Sequence, residues 1–519
     1  MTQSDPLLDG LNPQQLLAVT HVGTPLLVVA GAGSGKTRVL TRRIAYLMAR
    51  KNIAPYQVLA ITFTNKAAGE MKERVADLVG AVAKSIWVST FHSACVRILR
   101  TEAVRLGYSN NFTIYDSADS LRLITIVCRD LNLDPKRYPP KQMQAMISNA
   151  KNELLGPMDY LNSTTNQFQQ VVADVYALYQ KRLTQANAMD FDDLILKSVE
   201  VLQRFPESKA KLRSRFRHIL VDEYQDTNHA QYVFVKELVG TEEDGIPPAE
   251  LCVVGDADQS IYGFRGATIR NILQFEMDYP TAETILLEQN YRSTQNILSA
   301  ANAVIENNQG RKAKNLWSEA GSGVPIKGYV AESEHDEAEY IAGEIRKLRD
   351  SGESNYGQTA IFYRTNAQSR VFEEVFMRAG LPYKVVGGVR FYERREVKDL
   401  LAYLKVLANN EDEISLRRII NVPKRGLGDR TIEEVELLAN RRGISFWGAL
   451  NAILETDDLP ARAKSSLEGF VHLIQNLNVL VEANTKPSVI VEAVLEQSGL
   501  LAELQGSKDP QDEVRVENL

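Results

Sequence analysis

The run Leu26-Leu27-Val28-Val29-Ala30-Gly31-Ala32-Gly33-Ser34-Gly35-Lys36-Thr37 decides the fold. A short apolar stretch, the length of one buried strand, enters a glycine-rich turn, and Lys36 to Ala49 then reads as a helix. Ala30 to Thr37 has the spacing of a phosphate-binding loop, with Ala30 where the first glycine is usual. Glycines let the backbone turn tightly, so that its N–H groups and the helix N-terminus face phosphate oxygens. Lys36 places a compact charge on the β- and γ-phosphates, and the Thr37 hydroxyl is a ligand for Mg²⁺. The bland alternative is a turn that binds nothing, which the Gly-Lys-Thr ending makes a poor fit.

Further apolar runs lie outward of this one. Val58 to Ile61, Ile86 to Ser89, Ile219 to Asp222, Leu251 to Val254 and Thr284 to Leu287 read as strands separated by helices. Continuous apolar runs of this kind are buried on both faces, which predicts an α/β fold with a doubly wound parallel sheet. Between Gly107 and Met189 the texture turns polar and helical, predicting an α-helical insertion. A second α/β pattern starts near Val324: a helix from Glu334 to Arg349, a strand from Thr359 to Tyr363, and a helix to Ala379. After Tyr383 the sequence reads almost wholly as helices.

The 519 residues suggest three or four domains. With 60 Lys and Arg against 66 Asp and Glu the net charge is −6, so no global field draws in polyanions. Nucleic-acid binding therefore needs local patches, and Lys384 to Arg430 holds 11 basic and 7 acidic side chains. Within it, Pro423 to Gly428 reads either as a duplex-contacting hairpin or as a solvated helix connection. Cys95, Cys128 and Cys252 are too few for a disulfide framework or a four-thiolate metal site. No signal peptide and no spanning apolar stretch is legible, which predicts a soluble, cytoplasmic protein without membrane contact.

Two segments complete the phosphate chemistry. Ile219-Leu220-Val221-Asp222-Glu223 ends an apolar strand in adjacent acids. Asp222 is placed to position Mg²⁺, and Glu223 to orient and deprotonate the attacking water. Alone, such a pair is commonly solvated strand-end charge; beside a phosphate-binding loop it points to nucleoside triphosphate hydrolysis. Gly255-Asp256-Ala257-Asp258-Gln259 again follows an apolar strand, and Gln259 reads either as a γ-phosphate sensor or as part of a polar turn.

Several motifs then stand in order: Leu11-Asn12-Pro13-Gln14-Gln15, the phosphate-binding loop, Thr62 to Ala68, Ser89-Thr90-Phe91-His92-Ser93, Val221 to Asp226, Gly255 to Tyr262, Gln289-Asn290-Tyr291-Arg292-Ser293 and Tyr363 to Arg370. Together they resemble the superfamily 1 DNA helicases of the UvrD/Rep/PcrA type. The resemblance implies RecA-like domains carrying helical insertions, with ATP and Mg²⁺ between them and 3′ to 5′ movement on single-stranded DNA. It implies a first RecA-like domain at 1–109 and 190–285, its insertion at 110–189, a second RecA-like domain at 286–383 and its insertion at 384–519, the last two incomplete.

By the same resemblance Gln15 reads the adenine edge and Tyr291 stacks on the base. Ala30, Gly31, Ala32, Gly33, Ser34, Gly35, Lys36, Thr37 and Arg38 line the nucleotide, and Arg292 is an arginine finger. The single-strand track is implied at Phe63, Thr64, Asn65, Thr90, His92, Tyr262, Phe264, Arg265, Arg364 and Asn366. Aromatic stacking and Arg–phosphate contact give the sequence-tolerant grip this requires, although core packing is the commoner fate of a Phe. The family usually has Trp at the position of Phe264.

Two further family motifs, one with a Lys-Gly-Leu-Glu run and one with a second catalytic arginine, are not found. The expectation is therefore an N-terminal portion of a helicase with weak hydrolysis and little unwinding, acting at single/double-strand junctions with repair or replication proteins. The rival is an ATP-gated single-strand-binding subunit. A helicase–nuclease or a P-loop kinase explains fewer of the motifs.

Overall fold

The computed structural model describes residues 5–263, 266–308, 313–386, 391–507 and 509–519. Its chain divides into two compact units, one comprising Met1–Gly323 with Ala402–Val494 and the other Val324–Leu401 with Leu495–Leu519.

The first unit is built on six parallel strands: β1 (Leu26–Ala30), β2 (Val58–Thr62), β3 (Trp87–Thr90), β6 (His218–Val221), β7 (Glu250–Gly255) and β8 (Glu283–Leu287). Their order across the sheet is β3-β2-β6-β7-β1-β8. The apolar runs alternate between two cores, as the two-residue period of a strand requires. Leu27, Val29, Leu59, Ile61, Ile219, Val221, Leu251 and Val253 enter one core. Leu26, Val28, Val58, Ala60, Leu220, Cys252 and Val254 enter the other. Helices cover both faces of the inner strands, while the edge strand β8 buries Ile285 and Leu287 and leaves Glu283 and Leu286 exposed.

Because every pairing is parallel, all six strands end on one edge. The segments that follow Ala30, Thr62, Thr90, Val221, Gly255 and Leu287 are thereby gathered there. This is the edge at which ligands bind in doubly wound sheets.

The insertion is bracketed by a small parallel pair, β4 (Thr113–Tyr115) and β5 (Ala188–Asp190). The helices between them close on Leu123, Ile124, Val127, Met143, Tyr176 and Tyr179. The later helices of the same unit seat on this insertion through named bonds. Tyr115 donates to Asp412 at 2.9 Å, the Asn409 amide donates to Thr113 Oγ1 at 3.0 Å and to the Ala186 carbonyl at 2.9 Å, and Lys405 donates to Asp119 at 2.9 Å.

In the second unit the helices Glu334–Asp350 and Ser369–Arg378 pack through Ala338, Ala342, Val375 and Phe376. The strand expected at Thr359 to Tyr363 is not formed. Ile361 packs on this small core while Phe362 faces solvent. An extended run with no hydrogen-bonded neighbour is not a strand, whatever its composition. No described helix is long and apolar enough to cross a membrane.

Candidate functional site

The phosphate-binding turn follows β1. Gly33 (φ +68°) and Gly35 (φ +87°) adopt left-handed conformations that disfavour side chains. The Ser34 hydroxyl donates to the Gly31 carbonyl at 2.8 Å, closing the turn on itself. Lys36 and Thr37 then open the helix Lys36–Arg50.

Gln15 is held by the entrance of the helix Pro13–Thr20. Asn12 caps that helix by accepting from the Gln15 N–H at 2.8 Å, and the buried Gln15 amide donates to the Ser34 carbonyl at 3.0 Å. Asn12 in turn donates to the Tyr291 hydroxyl at 2.9 Å. Gln15 and Tyr291 are thereby both tied to Asn12 beside the turn.

The segment after β8 lies directly on the phosphate-binding turn. The Tyr291 N–H donates to the Gly33 carbonyl at 2.9 Å, and the buried Asn290 amide donates to the Ala32 carbonyl at 2.5 Å. Asn290 Oδ1 accepts from the N–H groups of Arg292 and Ser293 at 2.8 and 2.7 Å. A Cβ on Gly33 would stand 2.7 Å from the Arg292 Cβ, so this approach requires glycine.

Asp222 and Glu223 follow β6. Asp222 is buried, and burial followed by the charge of Glu223 pushes its carboxyl up to about 6 against the pull of Lys36. Glu223 holds φ +49°, ψ +44°, a conformation that costs a non-glycine residue of order 1–3 kcal/mol and clusters at functional sites. Its Oε2 pairs with Lys36 Nζ at 3.0 Å and accepts from the Gln225 amide at 3.0 Å. Thr37 and Asp222 offer hard oxygen donors, the set that suits Mg²⁺.

Gln259 donates to Asp256 at 2.5 Å, and the Asp256 N–H donates to Gln225 Oε1 at 2.9 Å. Gln225 therefore joins Glu223 to the segment carrying Gln259. Lys314 adds ion pairs to both Asp256 and Asp258. Two residues on, the Leu316 side chain covers Gly31, where a Cβ would approach it to 2.1 Å, and the Trp317 carbonyl accepts from the Asn290 N–H at 2.8 Å. One short segment, Lys314 to Trp317, thus touches three loops of the site.

Gln225, Asn290 and Lys314 to Trp317 were not assigned roles from the sequence. The partners that join them to other loops are remote in the chain, and only the Gly-rich turn signals that something must approach it closely.

On the same edge, Phe63 and Tyr262 stand nearly parallel, 19° apart, with ring centres separated by 6.4 Å. Thr64 and Thr90 cap the helices Asn65–Val79 and Phe91–Glu102 by accepting from the N–H groups of Ala67 and Ser93 at 3.1 and 3.3 Å. Asn65 opens the first of these helices. His92 is half-buried, which lowers its pKa, and meets Phe191 edge-on at 5.7 Å. Arg364 and Asn366 belong to the second unit, where the Arg364 N–H donates to Gln368 at 2.9 Å and Asn366 begins a short turn of 3₁₀ helix. Phe264 and Arg265 lie outside the described residues.

In the basic stretch 384–430, several charges are already committed. Arg425 donates to the Ile419 carbonyl at 2.9 Å and to the Tyr403 hydroxyl at 2.6 Å, and Arg417 pairs with Glu413 and Glu436 at 2.6 and 2.5 Å. Lys424 is exposed.

A parallel sheet with a Gly-Lys-Thr turn after one strand and an acid pair after another defines the P-loop class of nucleotide-binding proteins. Residues 11–280 match the family model of the UvrD/REP helicase N-terminal domain, and residues 285–477 match that of the UvrD-like helicase C-terminal domain. The chain is 58% identical to the ATP-dependent DNA helicase UvrD1 of Mycobacterium tuberculosis, over 99% of its own length and 68% of that protein's. It is 56% identical to UvrD1 of Mycobacterium leprae, over 100% of its own length and 68% of that protein's. To the ATP-dependent DNA helicase PcrA of Bacillus subtilis it is 48% identical, covering 99% and 69% respectively. The chain belongs to the UvrD/REP helicase family.

The expectation of a portion lacking the family's C-terminal part is not supported, because both family models match. The impaired hydrolysis inferred from it loses its basis as well.

Proposed function

We propose that this chain is an ATP-dependent DNA helicase, acting in the cytoplasm and moving 3′ to 5′ along single-stranded DNA at single/double-strand junctions. The names of its relatives and its family membership support the activity. The observation that carries the site assignment is the Asn290–Arg292 segment laid against the phosphate-binding turn. A triphosphate in that turn then meets Lys36 from one side and Tyr291 and Arg292 from the other.

Gln15 and Tyr291 recognise the base, and residues Ala30 to Arg38 hold the phosphates. Thr37 and Asp222 are the residues that would hold Mg²⁺, which neutralises phosphate charge when bound. Lys36 exchanges Glu223 for the γ-phosphate, which frees that carboxylate to accept a proton from the attacking water. Arg292 meets charge developing on the transferred phosphoryl group. Gln259 contacts the γ-phosphate, and through Asp256 and Gln225 its position is joined to that of Glu223. Loss of the γ-phosphate therefore alters both groups at once, the differential contact a nucleotide-driven cycle needs.

Phe63, Thr64, Asn65, Thr90, His92 and Tyr262 form the single-strand track on the first unit, with Phe264 and Arg265 in sequence continuity. Arg364 and Asn366 of the second unit are assigned strand contact as well. The π-faces of such rings are the sequence-tolerant stacking surface that a grip on single strands requires. In domain terms, 1–109 and 190–285 form the first RecA-like domain around the insertion 110–189, and 286–383 and 384–519 the second and its insertion.

A forked duplex with a 3′ single-stranded tail tests the reading. ATP should drive strand displacement from that fork and not from one with a 5′ tail. Single-strand binding without displacement would instead give an ATP-gated binding subunit.

A further inference from the structure

The segment Lys314 to Trp317 is held from two sides before it reaches the nucleotide site. The Asn302 amide, on the helix Gln295–Ile305, donates to Asn315 Oδ1 at 2.7 Å and to the Leu316 carbonyl at 3.0 Å. The Trp317 N–H donates to the Glu288 carbonyl at 3.3 Å, and Trp317 forms a parallel bridge with Gln289. Its carbonyl accepts from Asn290, whose side chain in turn accepts from the Arg292 N–H. The mount of Lys314 is therefore shared with the loop that carries Arg292.

From this mount the lysine stem crosses to a different loop. Only 3% of its side chain is exposed, and its ammonium pairs with both Asp256 and Asp258. Asp256 is itself buried, and it also accepts from Gln259 Nε2 at 2.5 Å. A carboxylate taken out of water is costly unless it is paired. Lys314 is the cation that lets Asp256 stand as an acceptor beside Gln259. An amide nitrogen has two hydrogens. With one directed at Asp256, the other is left for a phosphate oxygen, so the carboxylate gives the Gln259 amide its direction.

We propose that Lys314 is a positioning residue for ATP hydrolysis. Through Asp256 it fixes the Gln259 amide towards the γ-phosphate, and through its own segment it keeps that amide in step with Arg292. It acts through Asp256 rather than on the nucleotide. This rests on the γ-phosphate contact of Gln259 given above, and it supplies the part that ties that contact to the arginine on another loop.

Binding of a fluorescent non-hydrolysable ATP analogue and of the matching ADP to the full chain, with Mg²⁺ present, tests it. Lys314→Met should leave ADP affinity unchanged and lower the ATP-to-ADP affinity ratio about tenfold, the size of a lost hydrogen bond to a charged group. Gln259→Ala should lower the ratio by as much, and adding Lys314→Met to it should cause no further loss, because the two act through one contact. Equal weakening of ATP and ADP by Lys314→Met, or a further loss in the double variant, makes the role of Lys314 structural and overturns the proposal. A ratio unchanged in Lys314→Met but lowered in Gln259→Ala also overturns it, while keeping the γ-phosphate contact. A ratio unchanged in Gln259→Ala removes that contact and the proposal with it. Should Lys314→Met not fold, its combination with Asp258→Asn, which takes away one of the two carboxylates the lysine balances, carries the same test.

Discussion

At Asp222 a single carboxyl carries the site's pH dependence. Burial and then Glu223 raise it to about 6, whereas an unfolded aspartate titrates near 3.9. Between roughly pH 4 and 6 the folded state therefore binds the extra proton, and stability falls as pH rises through that window. Metal binding has the opposite sense, because only the carboxylate is a ligand. Mg²⁺ titrations of the ATP complex should show affinity falling as pH drops through about 6, and Asp222→Asn should remove that dependence. A flat profile in the unaltered protein would exclude Asp222 as the ligand.

Gln225 is the second residue whose role is carried by its partners. Its amide accepts from Asp256 and donates to Glu223. Gln225→Ala leaves the buried Asp256 N–H without its acceptor, which costs about 1–3 kcal/mol, and takes one donor from Glu223, which keeps Lys36. Steady-state kinetics should show kcat lowered roughly ten- to a hundredfold with little change in KM for ATP. An equal loss in KM alone would make Gln225 a nucleotide-binding residue.

At the scale of elements, the inner strands are legible because they are buried on both faces and so read as unbroken apolar runs, whereas the edge strand β8 is buried on one face only. The expected Leu26–Ala30 run forms strand β1 with the same ends, and the other five predicted strands of the sheet shift by a residue or two. The pair β4 and β5 was missed, since three residues each carry no period and the pairing joins Thr113 to Ala188 across the whole insertion. Composition also misled at Thr359 to Tyr363, where a β-rich run finds no ladder. Thr64 and Thr90 show a different limit. The sequence assigns them to the strand track by resemblance, and the structure gives each a helix to cap as well.

The phosphate-binding turn is the element most exposed to a single change. A methyl group on Gly33 would sit 2.6 Å from the Asn290 amide and 2.7 Å from the Arg292 Cβ, at φ +68°. The left-handed conformation alone costs about 1–2 kcal/mol for an alanine. Gly33→Ala should weaken ATP binding at least tenfold by displacing the Asn290–Arg292 segment, as measured by nucleotide fluorescence titration. Unchanged affinity would show that this contact is not part of the nucleotide site.

Within the first unit, the late helices reach the insertion through a few buried polar bonds. The Tyr115 hydroxyl donates to Asp412, itself fully buried and also bonded to Ser415. Such bonds are invisible in sequence, because the partners lie 297 residues apart. The same scale explains why the basic excess of 384–430 overstated the free charge, Arg417 and Lys405 being paired with Glu413, Glu436 and Asp119. Tyr115→Phe should lower stability by about 1–3 kcal/mol, since Asp412 loses a buried donor. Denaturant unfolding checks this, and no change in midpoint would mean that the contact contributes nothing to holding the helices on the insertion.

The most direct measurement is ATP hydrolysis by the full chain with and without single-stranded DNA, compared between the unaltered protein and Glu223→Gln. Hydrolysis stimulated by the strand in the first, and reduced by at least about a thousandfold in the second with ATP still bound, is the result expected if Glu223 activates water beside Lys36 and Arg292. Equal turnover in the two proteins would place the chemistry elsewhere.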